Sequence, residues 1–226
     1  ALSIGLIAWR GDLLRGEGWG VNVKRVYRLW RREGLKVPRK TRKRRGWGTS
    51  ANACHVRRAE HQDHVWTWDF VFDRTTSGTT LKWLSIVDEH TRECLALKVA
   101  RSITSEDVID TLAELFAMRG VPRCVRSDNG PEFISKSLDW WAYFNEVTLD
   151  FSRPGKPTDN AYIESFNGRL RQECLNQHWF QDLTDAVETV EAWRIDYNEQ
   201  RPHSSLGDRT PKEFAACFAS ATPQRS

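Results

Sequence analysis

Three carboxylates stand where carboxylates need an explanation. Asp69 sits in the middle of "VWTWDFVFD" (65–73), a run of Val, Trp, Thr and Phe with the composition of a buried strand. Asp128 follows the apolar run "VPRCVRS" and opens "DNGPEF". Glu164 lies within "TDNAYIESFNGRLRQECL" (158–175), which has the periodicity of a helix. A carboxylate buried without a partner costs several kcal/mol, comparable with what a whole domain can spare. If the strand before Asp128 lies beside the strand of Asp69, the two acids become neighbours. Two bare carboxylates about 4 Å apart repel by roughly 4 kcal/mol at an effective dielectric of about 20, and a divalent cation between them reverses that sign. Oxygen donors without His or Cys close in sequence suit Mg²⁺ or Mn²⁺ better than zinc. Asp73, against the turn "RTTSGTT", and Asp88, at the end of the next apolar run, read instead as turn acids.

On the 158–175 helix, Ile163, Phe166 and Leu170 mark a buried side. Asn160, Glu164, Asn167 and Arg171 form a polar stripe by their spacing of four, three and four. Glu164 and Arg171 therefore point nearly the same way two turns apart. A carboxylate for a metal and a guanidinium for a phosphate would suit one polyanionic substrate. An ordinary solvated helix face is the alternative that the stripe alone leaves open.

The elements that must position these groups are legible from period and punctuation. Residues 65–100 read as a three-stranded meander: 65–73, "LKWLSIVDEH" (81–90) and "ECLALKVA" (93–100). A helix is expected over 104–120, capped by Thr104 or Ser105 and ended by Gly120, with Val108, Leu112, Leu115 and Phe116 inward. "VPRCVRSD" gives a fourth strand, a helix covers 135–145, and "VTLDFS" gives a fifth strand. After the 158–175 helix comes another over 182–200, with Leu183, Val187, Val190, Trp193 and Tyr197 facing inward. Hairpin strands followed by helix–strand units predict one mixed α/β sheet with helices on its faces.

Charge divides the chain of 226 residues unevenly. Residues 1–48 carry 14 Lys and Arg against 3 acids, and the remainder carries 20 against 27. A basic module beside an acidic one points to nucleic-acid contact next to a different task. "NVKRVYRLWRRE" (22–33) reads as a helix capped by Asn22, with Val23, Val26, Tyr27 and Trp30 on one face and Lys24, Arg25, Arg28, Arg31 and Arg32 on the others. Six basic residues within 39–45 follow as a linker. These charges suit phosphate contact and say nothing of base sequence. Five scattered cysteines suggest reduced thiols, and "CHVRRAEHQDH" (54–64) fits no common zinc spacing. No apolar run reaches membrane-spanning length, and the opening "ALSIGLIAW" lacks the basic leader of a signal peptide.

Read together, "TWDF", "SDNGPEF", "NAYIESFNGRLRQECL" and "YNEQRPHSSLGDRTPKEF" resemble the DDE transposases of the insertion-sequence-3 family, which have a retroviral-integrase-like core. The likeness covers roughly 60–217. Asp69, Asp128 and Glu164 match the family's three acids, with 35 residues between the last two, and Arg171 matches its basic residue seven beyond the glutamate. The resemblance implies an RNase H-like five-stranded core over 60–217, a helix-turn-helix-like DNA-binding segment with its linker over 1–48, and a tail over 218–226. It implies two Mg²⁺ or Mn²⁺ ions held by the three acids, with Asn129, Glu132, Asn160 and Asn167 in support. Cleavage at the ends of an element and joining of the freed 3′-hydroxyl to target DNA would follow, without a nucleotide cofactor. Asn198, Arg201, Pro202 and His203 would shape the region after the catalytic helix. Double-stranded DNA carrying the element's ends, target DNA and further copies of the chain are the implied partners, in a bacterial cytoplasm beside the nucleoid. The first residues, "ALSIGLIAWRGDLLRGEG", depart from the family's pattern. That departure is compatible with a fragment, a frame-shifted copy or the downstream part of a fusion with an upstream reading frame. A plain nuclease of the same fold, and an inert DNA-binding remnant or repressor of transposition, are the alternatives.

Overall fold

A computed structural model describes residue 20 and residues 22–32, 59–127, 136–151 and 160–219, apart from the side chains of 23, 26, 27, 30, 31 and 219. The chain divides into two units, Ala1–His55 with Arg201–Arg209, and Val56–Gln200 with Thr210–Ser226. In the first, α1 spans Val23–Arg32. Its cap is the expected one: the Asn22 Oδ1 accepts the Lys24 N–H at 2.9 Å, satisfying one of the orphan donors of the first turn. Lys24, Arg25, Arg28 and Arg32 are exposed, as a phosphate-contacting surface requires. The Arg31 side chain, the expected apolar face of this helix and the basic linker lie outside the described residues.

The second unit is built on a five-stranded sheet in the order β3-β2-β1-β4-β5. β1 (Val65–Arg74), β2 (Thr80–Asp88) and β3 (Cys94–Ala100) form the antiparallel meander, with Asp69 opposite Ser85. β4 (Cys124–Ser127) then pairs parallel to β1, with Thr67 beside Arg126, and β5 (Thr148–Phe151) pairs parallel to β4, with Arg126 beside Asp150. The expected adjacency of the first and fourth strands is therefore present. Parallel neighbours require a crossover, and α2 (Ser105–Arg119) and α3 (Lys136–Phe144) supply the two connections. Thr104 caps α2 in a reciprocal box with Asp107, and Gly120 leaves it at φ 88°, a conformation that glycine adopts without cost.

Strand alternation sorts the core into two layers. Trp66, Trp68, Phe70, Leu84, Ile86 and Val125 face α2 and α3. Val71, Leu81, Trp83 and Val87 face the other way, against α4 (Ala161–Glu173) and α5 (Leu183–Glu199). From α4, Ile163, Phe166 and Leu170 enter this layer as expected. One expectation for α5 fails: Val187 is 45% exposed, and Ala186 is buried in its place. The inward residues 183, 186, 190, 193 and 197 keep one consistent 3.6-residue stripe, and position 187 lies about 80° from its centre, beyond its edge. A last helix, α6 (Pro211–Ala219), packs on α5.

Cys94, Cys124, Cys174 and Cys217 are free thiols, the first three buried. His61 stacks on His64 at 4.6 Å, while Cys54 and His55 lie outside the described residues. Among the described residues no helix is long and apolar enough to cross a membrane.

Candidate active site

The face of the sheet that receives α4 is interrupted by polar side chains. Thr67 and Asp69 of β1, Ser85 of β2, Arg126 of β4 and Asp150 of β5 share its parity. Three residues of the predicted polar stripe pin α4 to β1. The Thr67 hydroxyl donates to Asn160 Oδ1 at 2.6 Å. Asn167 Nδ2 donates to Asp69 Oδ2 at 2.9 Å. Arg171 Nη2 lies 3.4 Å from the Phe72 carbonyl. Asn160 thus occupies the N-cap position of α4 but spends its side chain on the sheet rather than on its own helix. The anchors run in the same order along both elements, so Asn160, Asn167 and Arg171 follow β1, while Glu164, between the first two of them in the stripe, is exposed.

Asp69 is half-buried, and its carboxylate is held at both oxygens, Oδ1 accepting the Phe70 N–H at 2.8 Å and Oδ2 the Asn167 amide. Glu164 is exposed, and among the described residues no hydrogen bond or ion pair reaches its carboxylate. Asp128, Asn129 and Glu132 lie outside the described residues; β4 ends at Ser127, one position before Asp128. Among the described residues no three His, Cys, Asp or Glu side chains gather into a metal-sized cluster. Asp73 lies inside β1, paired with Leu81 and two positions before the turn, and accepts the Arg74 N–H at 2.7 Å. Asp88 is fully buried and accepts the backbone N–H groups of Asp63, His90 and Thr91 at 2.6, 2.7 and 2.8 Å. Burial raises its pKa, and those three donors pull it back. Where turn acids were expected, Asp73 is the second-last residue of β1 and Asp88 the last residue of β2, each accepting nearby backbone N–H groups. Asn198 brackets Cys94, accepting from its N–H at 2.8 Å and donating to its carbonyl at 2.9 Å, which ties α5 to the start of β3.

The sequence gives no warning of a second charged group on this face. Arg126, only 2% exposed, donates to Glu89 at 2.7 Å and to Asp150 at 2.9 Å. Burial is the larger influence on Glu89 and pushes its pKa up to about 7, while Arg126 pulls it down. In sequence Arg126 stands two positions before Asp128, and it is the second-last residue of β4. The one available signal was an arginine inside the apolar run "VPRCVRS".

Two models of the integrase core domain match the chain, over residues 59–157 and 145–211. The chain is 48% identical over 204 residues to an uncharacterized 31.7 kDa protein of insertion element IS407 from Burkholderia multivorans, covering 90% of this chain and 73% of that protein. It is 41% identical to a 39.2 kDa protein of IS476 from Xanthomonas euvesicatoria, covering 92% of this chain and 59% of that one. It is 28% identical to the transposase InsF of IS3A from Escherichia coli, with coverages of 90% and 74%. Among solved structures, a chain of the simian T-cell lymphotropic virus intasome in complex with PP2A regulatory subunit B56 gamma superposes with a TM-score of 0.62 and 16% identity, over 96% of this chain and 72% of that one. The magnesium complex of the HTLV-2 integrase catalytic core superposes with a TM-score of 0.56 and 16% identity, over 70% of this chain and 99% of that one. The structural neighbours show that the five-stranded sheet with its helices has the RNase H-like fold, and with sequence relatives this similar the chain belongs to the integrase-core, DDE-type transposases of the insertion-sequence-3 family.

Proposed function

We propose that this chain cuts DNA at the ends of an insertion sequence and joins the freed 3′ ends to target DNA, as a polynucleotidyl transferase. The observation that carries the reading is the pinning of α4 on β1, which lays the Glu164 stripe along the strand of Asp69. In this reading Asp69, Asp128 and Glu164 are the catalytic carboxylates. Their donor set is all hard oxygen, which fits Mg²⁺ or Mn²⁺, and the three would hold two such ions. When bound, these ions polarise the phosphoryl group and ready a hydroxyl for in-line displacement. Asn167 holds Asp69 in place, Asn160 holds the start of α4, and Asn129 and Glu132 support the second acid. Arg171, exposed on the same stripe, takes a phosphate of the reacting end.

Residues 60–217 form the core, 218–226 a tail, and 1–48 a DNA-binding segment. There Lys24, Arg25, Arg28, Arg31 and Arg32 contact phosphates of the element's terminal repeats. The chain acts as a homo-oligomer on DNA, alone or joined to the product of an upstream reading frame, in the cytoplasm. The test is incubation of the purified chain with Mn²⁺ and a labelled duplex carrying the element's end. Joined products support the proposal. Cut products alone would make it a nuclease, and a mobility shift alone a DNA-binding protein. Replacing Lys24, Arg25, Arg28 and Arg32 by alanine should flatten the plot of log affinity against log salt by roughly one unit per lost phosphate contact.

A further inference from the structure

The amide of Asn167 is used at both ends. Its Nδ2 donates to Asp69 Oδ2 at 2.9 Å, and its Oδ1 accepts the Ser85 hydroxyl at 2.8 Å. Ser85 stands directly opposite Asp69 in the β1–β2 ladder, has 0% exposure, and sits 3.2 Å from the Asp69 carbonyl. A buried serine in a strand of Leu, Trp, Ile and Val forgoes an apolar side chain at a central position, so its hydroxyl is there to meet a polar group. A primary amide can sit in either of two flipped orientations, and only the hydrogen-bond network selects between them. In the flipped form a carbonyl oxygen would face the Asp69 carboxylate, oxygen against oxygen. Ionised Asp69 opposes that flip by itself, but compensation of its charge by a cation weakens the preference. A donor at Oδ1 then has to keep Nδ2 turned towards Asp69, and the Ser85 hydroxyl is that donor.

We infer that Ser85 is a positioning residue for the carboxylate of Asp69, acting through Asn167. The chain of contacts runs Ser85 to Asn167 to Asp69, across two strands and α4. With Oδ1 tied to the Phe70 N–H and Oδ2 to Asn167, rotation of the carboxylate is fixed. Each carboxylate oxygen carries two lone pairs, so a hydrogen bond and a cation can share it. Ser85 therefore tunes how well the site takes a divalent ion without touching that ion. The inference rests on the reading of Asp69 as a metal-holding residue.

The experiment measures Mn²⁺ and Mg²⁺ binding by the full chain, from the rise in melting temperature on titration with each metal alone. Ser85→Ala should weaken apparent metal affinity about two- to tenfold, the range of one net hydrogen bond. Ser85→Thr should restore most of it, because the hydroxyl returns. In the Asn167→Ala background, Ser85→Ala should add no further loss, since a residue that acts through another has nothing left to act on. A merely structural serine would lower the metal-free melting temperature and leave the metal response as in wild type, which would overturn the inference. Additive losses in the double variant would overturn it too. Asp69→Asn separates the two levels: unchanged metal binding there sinks the reading of Asp69, whereas loss there with none in Ser85→Ala sinks only the role of Ser85. If Ser85→Ala does not fold, Ser85→Cys, close in size but a weak donor, gives the same comparison.

Discussion

The two faces of one sheet are built from alternate residues of the same strands, yet they follow different rules. Towards α2 and α3, β1 shows Trp66, Trp68 and Phe70, and β2 shows Leu84 and Ile86, with polar side chains only at the margins, Lys82 over the Phe70 ring and Asp88 opposite Trp66. Towards α4, the intervening positions read Thr67, Asp69, Val71 and Ser85, joined by Arg126 and Asp150 from the next two strands. The first face is held by area removed from water, at roughly 25 cal/mol per Å². The second gives up part of that area and replaces it with short, directed contacts between Thr67, Asn160, Asp69, Asn167 and Ser85. Apolar packing resists deformation everywhere equally. Directed bonds fix single atoms, which is what a carboxylate must have to hold a cation at one point.

The comparison breaks most sharply within β1. Asp69→Asn should lower cutting and joining by about a thousandfold or more, because the chemistry supplied through a bound metal is worth several kcal/mol. Glu164→Gln and Asp128→Asn should match it without adding to it, as members of one unit. Asp73→Asn, four positions on and of the same parity, should be mild, because among the described residues that carboxylate meets only the Arg74 N–H. Leu112→Ala, on α2 and fully buried in the apolar layer, should do the converse, costing about 2–5 kcal/mol of stability while the folded fraction keeps its turnover. Rates and urea denaturation curves on the same samples would show whether function and stability separate by face. Equal loss of activity in Asp73→Asn and Asp69→Asn would remove the distinction.

The buried Arg126–Glu89 pair gives the polar face a pH signature of its own. Glu89 has a folded pKa near 7 against an unfolded value of 4.5, raised mainly by burial. The folded chain therefore binds more protons than the unfolded chain between those values, and this group's contribution falls as pH rises from about 4.5 to about 7, then stays level. Glu89→Gln lacks that titration. The stability of wild type relative to Glu89→Gln should decline across the same window and be flat above it. Arg126→Ala should cost about 3–5 kcal/mol at pH 8, where it strands an ionised Glu89, and less at pH 5, where Glu89 takes up a proton instead. A cost independent of pH would mean that Glu89 is not the group left unpaired.

What the sequence shows of this fold, and what it hides, follows from the range of each signal. Periods of two and 3.6 are local, so the meander, the capped α2 and the polar stripe of α4 stand in the sequence as they stand in the fold. Asn160 and Asn167 were found because helical spacing put them beside Glu164. Two apolar residues, 186 and 187, compete for one inward position, and in the fold it is the smaller, Ala186, that enters the buried cluster. The Arg126 network stayed hidden for another reason. Glu89 is 37 residues away and Asp150 is 24 away, so the pairing exists only once β4 lies between β1 and β5. Ser85 was hidden likewise, since its meaning depends on lying opposite Asp69. The second acid, Asp128, and its neighbour Asn129 fall outside the described residues, so their place rests on the family spacing.

The smallest effect, and the finest test of the polar face, concerns Arg171. It lies on the pinned stripe, but its own anchor is weak: 3.4 Å to the Phe72 carbonyl, from an exposed position. An exposed arginine so held contributes little to folding, and its replacement should move stability by less than about 0.5 kcal/mol. A guanidinium can grip two phosphate oxygens at once, which an ammonium group cannot copy. Arg171→Ala should therefore slow strand joining by about ten- to a hundredfold, the value of one charge-assisted hydrogen bond of roughly 1.5–3 kcal/mol. Arg171→Lys should fall between, keeping the charge and losing the fork. Metal binding followed by melting temperature should stay at the wild-type level in both, which distinguishes Arg171 from Asp69, Asn167 and Ser85 on the same face. Joining rates equal in wild type, Arg171→Lys and Arg171→Ala would show that the stripe ends, for function, at Asn167.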